Sequence, residues 1–351
     1  MRPLSRLAAS VIAGVTLLAP ACNKTTNGPA RPKVAVVTNN TADFWSIAEA
    51  GAKKAGQDFD CDVTFRQPAT DAVSDQMNIV NDLVRVGVSG LAVSVIRPDD
   101  QAPALKVVAG KTNFITMDND APASGRKCYI GVDNYEAGKA AGRLVKQALP
   151  AGGTVALFIG NESSANAVER IGGVLDELAG RKDAPRTAGA DLGKYKLYGV
   201  TTDNADQKVA QDKARDVIEK LRGMPNVCCV GLYAYNPKAC LLAAKAKGLA
   251  GTVKIVGFDE DVVTLQGIMD GEIVGTVVQD PFNYGYKSVE VLAALARGDA
   301  SKAVDQTIAH RLVTKDGGPT ETHGKFEVVN LKAQQFAEKS AAELASVKGA
   351  K

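Results

Sequence analysis

Two doubly wound parallel-sheet lobes in the α/β class are the fold this sequence predicts, and three observations carry the prediction. From Lys33 onward, short apolar runs alternate with segments whose apolar residues recur at helical spacing. A strand–helix alternation of this regularity implies parallel sheets covered on both faces. The runs number about ten, too many for one compact sheet here and right for two sheets of about five.

Taken in order, the first set of runs is Val34–Thr38, Cys61–Arg66, Gly90–Val95, Phe114–Met117 and Cys128–Val132. The second is Thr154–Ile159, Lys196–Thr201, Val227–Leu232, Lys254–Phe258 and Ile273–Val278. Most are apolar almost throughout, as strands buried on both faces must be. Between them the period changes: Phe44, Ala48, Gly51 and Ala55 share one helical face, and Val73, Met77, Val80 and Val84 share another. The first five strands are expected in the order 2-1-3-4-5.

The N-terminus reads as a secretory signal over residues 1–21. Arg2 and Arg6 precede an apolar stretch from Leu7 to Leu18, short for a membrane span, and Ala19-Pro20-Ala21 precedes Cys22. Ordinary cleavage would make Cys22 the first mature residue; the same stretch also resembles a bacterial lipobox, in which Cys22 carries lipid. Residues 22–32 are polar and rich in Gly, Pro, Asn and Thr, and read as a tether. A tether is of use to an anchored protein, which favours lipidation and a membrane-anchored lipoprotein in the periplasm or cell envelope.

Composition narrows the function further. The net charge is +3, with no clustered Lys/Arg patch, so nucleic acid is not an expected partner. Six cysteines show neither C-x-x-C nor zinc spacing, and there are two histidines, so no metal site is expected. No G-x-G-x-x-G or G-x-x-x-x-G-K loop cradles a phosphate. No cofactor and no catalytic residues are expected.

Ligands of open parallel sheets bind at the carboxyl ends of the strands. Those ends carry Asp43-Phe44-Trp45, Met117-Asp118-Asn119-Asp120, Thr202-Asp203-Asn204, Tyr235-Asn236, Phe258-Asp259 and Gln279-Asp280. Ile115-Thr116-Met117-Asp118 and Val256-Gly257-Phe258-Asp259 echo each other, each closing a strand with an acid. Carboxylates accept hydroxyl hydrogens, amides both donate and accept, and an aromatic ring covers a C–H face. This is a recognition set for a neutral polyol. Each position also has a plainer role: Asp43, Asn236 and Asp259 fit helix N-caps, and Phe44 fits its helix's core face.

The most specific stretches are Asp43-Phe44-Trp45, Phe114-Ile115-Thr116-Met117-Asp118, Ile130-Gly131-Val132-Asp133-Asn134, Ile255-Val256-Gly257-Phe258-Asp259 and Thr276-Val277-Val278-Gln279. Through them, nearly all of Lys33–Val313 resembles the ribose/galactose-type periplasmic sugar-binding proteins, type I receptors of bacterial sugar ABC importers. The resemblance implies two lobes joined by a three-strand hinge, with crossovers near Asn134, Gln279 and Ala309. The N-terminal lobe would comprise 33–134 plus 280–308 and the C-terminal lobe 135–279 plus 309–345. It also implies stacking by Phe44 and Trp45, and hydroxyl contacts from Asp118, Asn236, Asp259 and Gln279. Asn119 and Ala42 stand where ribose binders carry Arg and Asn. Asn166 stands for a second Arg in the loop Asn161–Glu169, and Asn204 joins the set from its own strand end. With both arginines missing, a different pentose, a hexose or a polyol such as inositol is implied as readily as ribose.

The resemblance implies a monomer that meets an importer permease and is not an enzyme. Three other readings are open. A transcription regulator would need a DNA-binding helix pair where the secretory signal lies. An enzyme could use Asp118 and Asp120 for acid–base work. A receptor signalling to a membrane sensor would look the same from this chain alone.

Overall fold

The computed structural model describes residues 30–323 and 325–348; the signal segment and Cys22 lie outside them. Chain order begins β1 (Lys33–Val37), α1 (Asp43–Asp58), β2 (Asp62–Arg66), α2 (Val73–Arg85), β3 (Gly90–Val93), α3 (Pro98–Ala109), β4 (Asn113–Met117) and β5 (Tyr129–Gly131). It continues with α4 (Asn134–Ala148), β6 (Gly153–Ile159), α5 (Ala165–Ala179), β7 (Asp191–Leu192), β8 (Tyr195–Thr202), α6 (Gln207–Lys220), β9 (Val227–Gly231), α7 (Asn236–Ala246), β10 (Lys254–Phe258), α8 (Val262–Met269) and β11 (Gly275–Val278). The rest is α9 (Pro281–Ala296), β12 (Gln306–Thr307), β13 (Arg311–Thr314), β14 (Glu321–His323), β15 (Phe326–Val328), β16 (Asn330–Lys332) and α10 (Ala333–Lys348).

All ten expected strands are present, in two sheets. One runs β2-β1-β3-β4-β5-β12, the expected order extended by one strand. The other runs β7-β8-β6-β9-β10-β11-β13-β16, parallel from β8 to β11 and antiparallel where β13 joins β11. The apolar runs explain the central positions: β3, β9 and β11 are buried at every residue, which only strands covered on both faces can be. The chain passes between the sheets three times, between β5 and α4, between β11 and α9, and between β12 and β13.

After the second crossing, α9 packs on α1 backbone to backbone. A Cβ on Gly51 would lie 1.9 Å from the Phe282 carbonyl oxygen, and one on Gly285 the same distance from that of Ala48. Only glycine permits this approach, and it holds the start of α1, with Phe44 and Trp45, beside Tyr284 of α9.

The plainer capping roles are overturned. Ala42 occupies the capping position of α1. Asp261, not Asp259, caps α8 by accepting from Val263 N at 2.8 Å. Asn236 is the first residue of α7 rather than its cap.

Cys61, Cys128, Cys228, Cys229 and Cys240 are buried. Cys61 and Cys128 precede β2 and β5, which are four strand spacings of about 4.8 Å apart. Cys228 and Cys229 belong to different core clusters, one on each face of β9. Cys240, expected past the end of that strand, instead lies on α7 in the same cluster as Cys229, whose thiol contributes to raising that of Cys240 beyond the effect of burial. We expect unreduced protein, denatured in the presence of a thiol reagent, to titrate all five of these cysteines. A count two lower would identify Cys229 and Cys240 as a disulfide.

Candidate functional site

The two sheets present the carboxyl ends of their strands to one cleft, and matching devices hold an acid at each side of it. Asp118 follows β4 and Asp259 follows β10, both in the left-handed region with φ of 60° and 63°. Asp is among the few non-glycine residues that tolerate this conformation, and the adjoining strand pins each peptide. The amide of Asp118 donates to Ile130 O at 2.9 Å and its carbonyl accepts from the Tyr129 hydroxyl at 2.8 Å. The amide of Asp259 donates to Val277 O at 2.7 Å and its carbonyl accepts from Thr276 Oγ1 at 2.9 Å. The echo between the two sequence segments is thus an echo in backbone geometry.

Both carboxylates are nearly buried. Asp118 Oδ2 accepts from Ser94 Oγ at 2.7 Å and from Asn39 Nδ2 at 3.5 Å. Burial pushes its carboxyl up to about 6, against the Ser94 bond and the positive charge of Arg170. Asp259 Oδ1 accepts from Gln279 Nε2 at 2.8 Å, and Gln279 Oε1 accepts from the Tyr284 hydroxyl at 3.0 Å. Burial raises Asp259 as well, with Arg170 again opposing.

Arg170 overturns the expectation that the cleft lacks arginine. It is 2% exposed on α5, one residue beyond the loop Asn161–Glu169 in which the resemblance implies an arginine. Its Nε donates to Asn134 Oδ1 at 2.8 Å and its Nη1 to Leu232 O at 2.9 Å, while its guanidinium carbon stands 3.9 Å from the Phe258 ring centre. A Cβ on Gly138 of α4 would come within 2.4 Å of the Arg170 carbonyl oxygen, so that glycine lets α5 seat the arginine this deeply. Five guanidinium N–H groups less two leaves donors for a cleft ligand. The signal was present in the sequence: Asn166 and Arg170 are four residues apart on a helix that follows a strand, and so share a face.

Asn39, Phe44, Trp45, Asp118, Asn166, Arg170, Tyr233, Tyr235, Asp259 and Gln279 all line one cavity, with about 470 Å³ of empty space including its mouth. That is toward the small end of the roughly 300–1,000 Å³ usual for small-molecule sites. Phe44 meets Trp45 edge-on at 4.9 Å, and the Trp45 indole donates to Asn40 Oδ1 at 2.8 Å. Of the expected contacts, Phe44, Trp45, Asp118, Asn166, Asp259 and Gln279 are brought together here. Tyr233 was not among them, and Tyr235 was noted only beside Asn236 at its strand end, although the strand-end rule points directly at the turn after β9.

Asn119, Asn204 and Asn236 do not reach this cavity, and each has a local reason. Asn236 Nδ2 donates to Asp203 Oδ2 at 2.8 Å and its Oδ1 accepts from Tyr233 N at 3.1 Å. It therefore shapes the turn that carries the two tyrosines. Asn204 lines a separate, wider space with Thr70, Asp71 and Lys208. Asn119 donates to Val95 O and accepts from Asn166 N at 3.2 Å.

A family profile described as a periplasmic binding protein domain matches residues 34–300. The ribose import binding protein RbsB of Salmonella typhimurium is 25% identical over 312 residues, covering 86% of this chain and 95% of that one. The xylose/arabinose-binding protein XylF of Sulfolobus acidocaldarius is 26% identical over 265 residues, 70% of this chain but 61% of the archaeal protein. The crystal structure of an ABC transporter solute binding protein from Burkholderia graminis, in complex with D-arabinose, aligns with a TM-score of 0.74 at 26% identity. The alignment covers 81% of this chain and 96% of that one.

Proposed function

Because the chain belongs to the periplasmic binding protein family, we propose that it captures a neutral monosaccharide or polyol in its cleft and hands it unchanged to an ABC importer. The observation that carries this reading is the buried Asp118–Arg170–Asp259 set facing Phe44 within one cavity. Hydroxyls satisfy both kinds of partner, donating to the carboxylates and accepting from the guanidinium, while a ring of C–H bonds lies against the aromatic. With both acids ionised the set carries one net negative charge, which disfavours phosphorylated and other anionic ligands.

Thermal melting against a panel of pentoses, hexoses, inositols, disaccharides, sugar phosphates, amino acids and nucleosides tests this. At a thousandfold excess over Kd, a ligand bound only by the native protein adds about 4 kcal/mol. One neutral sugar or polyol should thus raise the melting temperature by several degrees, and sugar phosphates should not. A shift from an amino acid or nucleoside, with none from any sugar or polyol, would overturn the carbohydrate reading. Recovery of a chemically altered sugar would overturn the non-enzymatic one.

Lipid on Cys22 would hold the receptor near its importer. Wild-type protein should then partition into the membrane fraction and Cys22→Ala should not; soluble wild-type protein without acyl mass would end that reading.

A further inference from the structure

We propose that Asn119 is a positioning residue that latches the lobes shut, by capping with its side chain a helix that belongs to the opposite lobe. Asn119 follows β4 in one sheet's lobe and is 1% exposed. Its Nδ2 donates to Val95 O, and Val95 N donates back to Asn119 O at 3.1 Å, so the residue is tied to its own lobe at both ends. The remaining atom, Oδ1, accepts at 3.2 Å from the backbone N–H of Asn166, in the first turn of α5 across the cleft. Amides in the first turn of a helix have no partner within the helix and need one from outside.

The usual acceptor for such an amide is engaged elsewhere. Ser164 occupies the capping position of α5 but makes no side-chain cap. Its Oγ instead bonds to Asn161 O at 2.9 Å, Asn166 Oδ1 at 2.7 Å and the Tyr233 hydroxyl at 2.8 Å. The Asn166 amide thus gains its protein partner only when the lobes meet. The latch also sits one residue from each half of the site: Asp118 precedes Asn119, and Asn166 itself lines the cavity one helical turn before Arg170. Closing it aligns the acid of one lobe with the guanidinium of the other.

A cross-lobe cap raises the closed fraction of the free protein, and apparent affinity scales with that fraction. Loss of one such bond should weaken ligand binding roughly three- to tenfold. The proposal uses the two-lobe cleft of the function above, but its decisive measurement needs no ligand. Spin labels on Asp71→Cys and Lys208→Cys, exposed residues either side of the cleft mouth, report the distance distribution in free protein; the five described native cysteines are buried and stay unlabelled. Asn119→Ala should shift that distribution to longer distances. Asn119→Leu, of like size but with no acceptor, should shift it as far.

An unchanged distribution in a folded Asn119→Ala variant would overturn the latch, whether or not affinity falls. So would a folded Asn119→Leu variant that keeps the short distance. If Asn119→Ala does not fold, Asn119→Ser, too short to reach across, replaces it with the same expected shift and the same refutation. A wild-type protein that binds no sugar yet shows the Ala-induced shift would remove the proposed function and leave the latch standing.

Discussion

Arg170→Ala should unfold more easily, by about 3–5 kcal/mol, because it leaves the buried Asn134 Oδ1 and Leu232 O without their donor and removes a positive charge that favours two buried carboxylates. Asp118 and Asp259 each feel Arg170 as an opposing positive charge, and both are pushed upward by burial. The variant also loses the guanidinium packed on Phe258. Ligand binding should be undetectable. Arg170→Lys is the informative partner, since it keeps the charge and abandons the planar fork. It should fold, yet bind the sugar identified by melting roughly 10- to 100-fold more weakly, the cost of losing charge-assisted hydrogen bonds. Urea unfolding and calorimetric titration read the two effects separately. A lysine variant of wild-type affinity would mean the fork makes no ligand contact, and an alanine variant of wild-type stability would mean the acids do not depend on it.

Asp118→Asn should make the free protein more stable at neutral pH and a poorer binder. The folded carboxyl titrates near 6 and the unfolded one near 3.8. A group raised on folding contributes its stabilisation below the unfolded value and loses it as pH rises through the folded value. At pH 7 the buried ionised carboxylate therefore costs about 3 kcal/mol, which the neutral amide avoids. Asparagine accepts the Ser94 bond and tolerates the left-handed backbone at least as well, so little else changes. The gain over wild type should be largest above pH 6 and vanish near pH 4.

Binding follows from the same group. If ligand hydroxyls donate to the Asp118 carboxylate as proposed, its pKa falls in the complex and wild-type affinity should drop about tenfold from pH 7 to pH 5. Asp118→Asn should remove most of that slope. Asp259, raised in the same direction and sharing Arg170, would account for a remainder. An affinity independent of pH in the wild type would show that the ligand does not call on an ionised Asp118.

The strands that the sequence revealed are those that a parallel sheet buries on both faces, because such strands need several apolar residues in succession. The additions at the sheet edges escaped. β7 and β12 are two residues long and β16 three, and β14 and β15, three residues each, pair only with one another; all are too short to show a period. Among the site residues, Phe44, Asp118, Asp259 and Gln279 were legible because chain position alone carries them to the carboxyl ends of strands. Position does not say where a side chain points. Asn236 and Asn119 lie at strand ends as expected, but each side chain is spent on protein partners, among them the backbone amides of Tyr233 and Asn166, instead of lining the cavity.

What the sequence determined by itself, then, was the alternation of buried strands with covering helices, and the repeated placement of an acid where a strand stops. Both are local: one follows from apolar periodicity, the other from which residue comes next. The tertiary structure alone decided that Arg170 lines one cavity with acids from two different sheets. Its neighbours are 52 residues away at Asp118 and 89 at Asp259, and only the packing of α5 on α4, at Gly138, turns the guanidinium into the cleft. A buried cation is stable where opposite charges converge on it, and that convergence is a property of two lobes meeting, which no single segment of the chain contains.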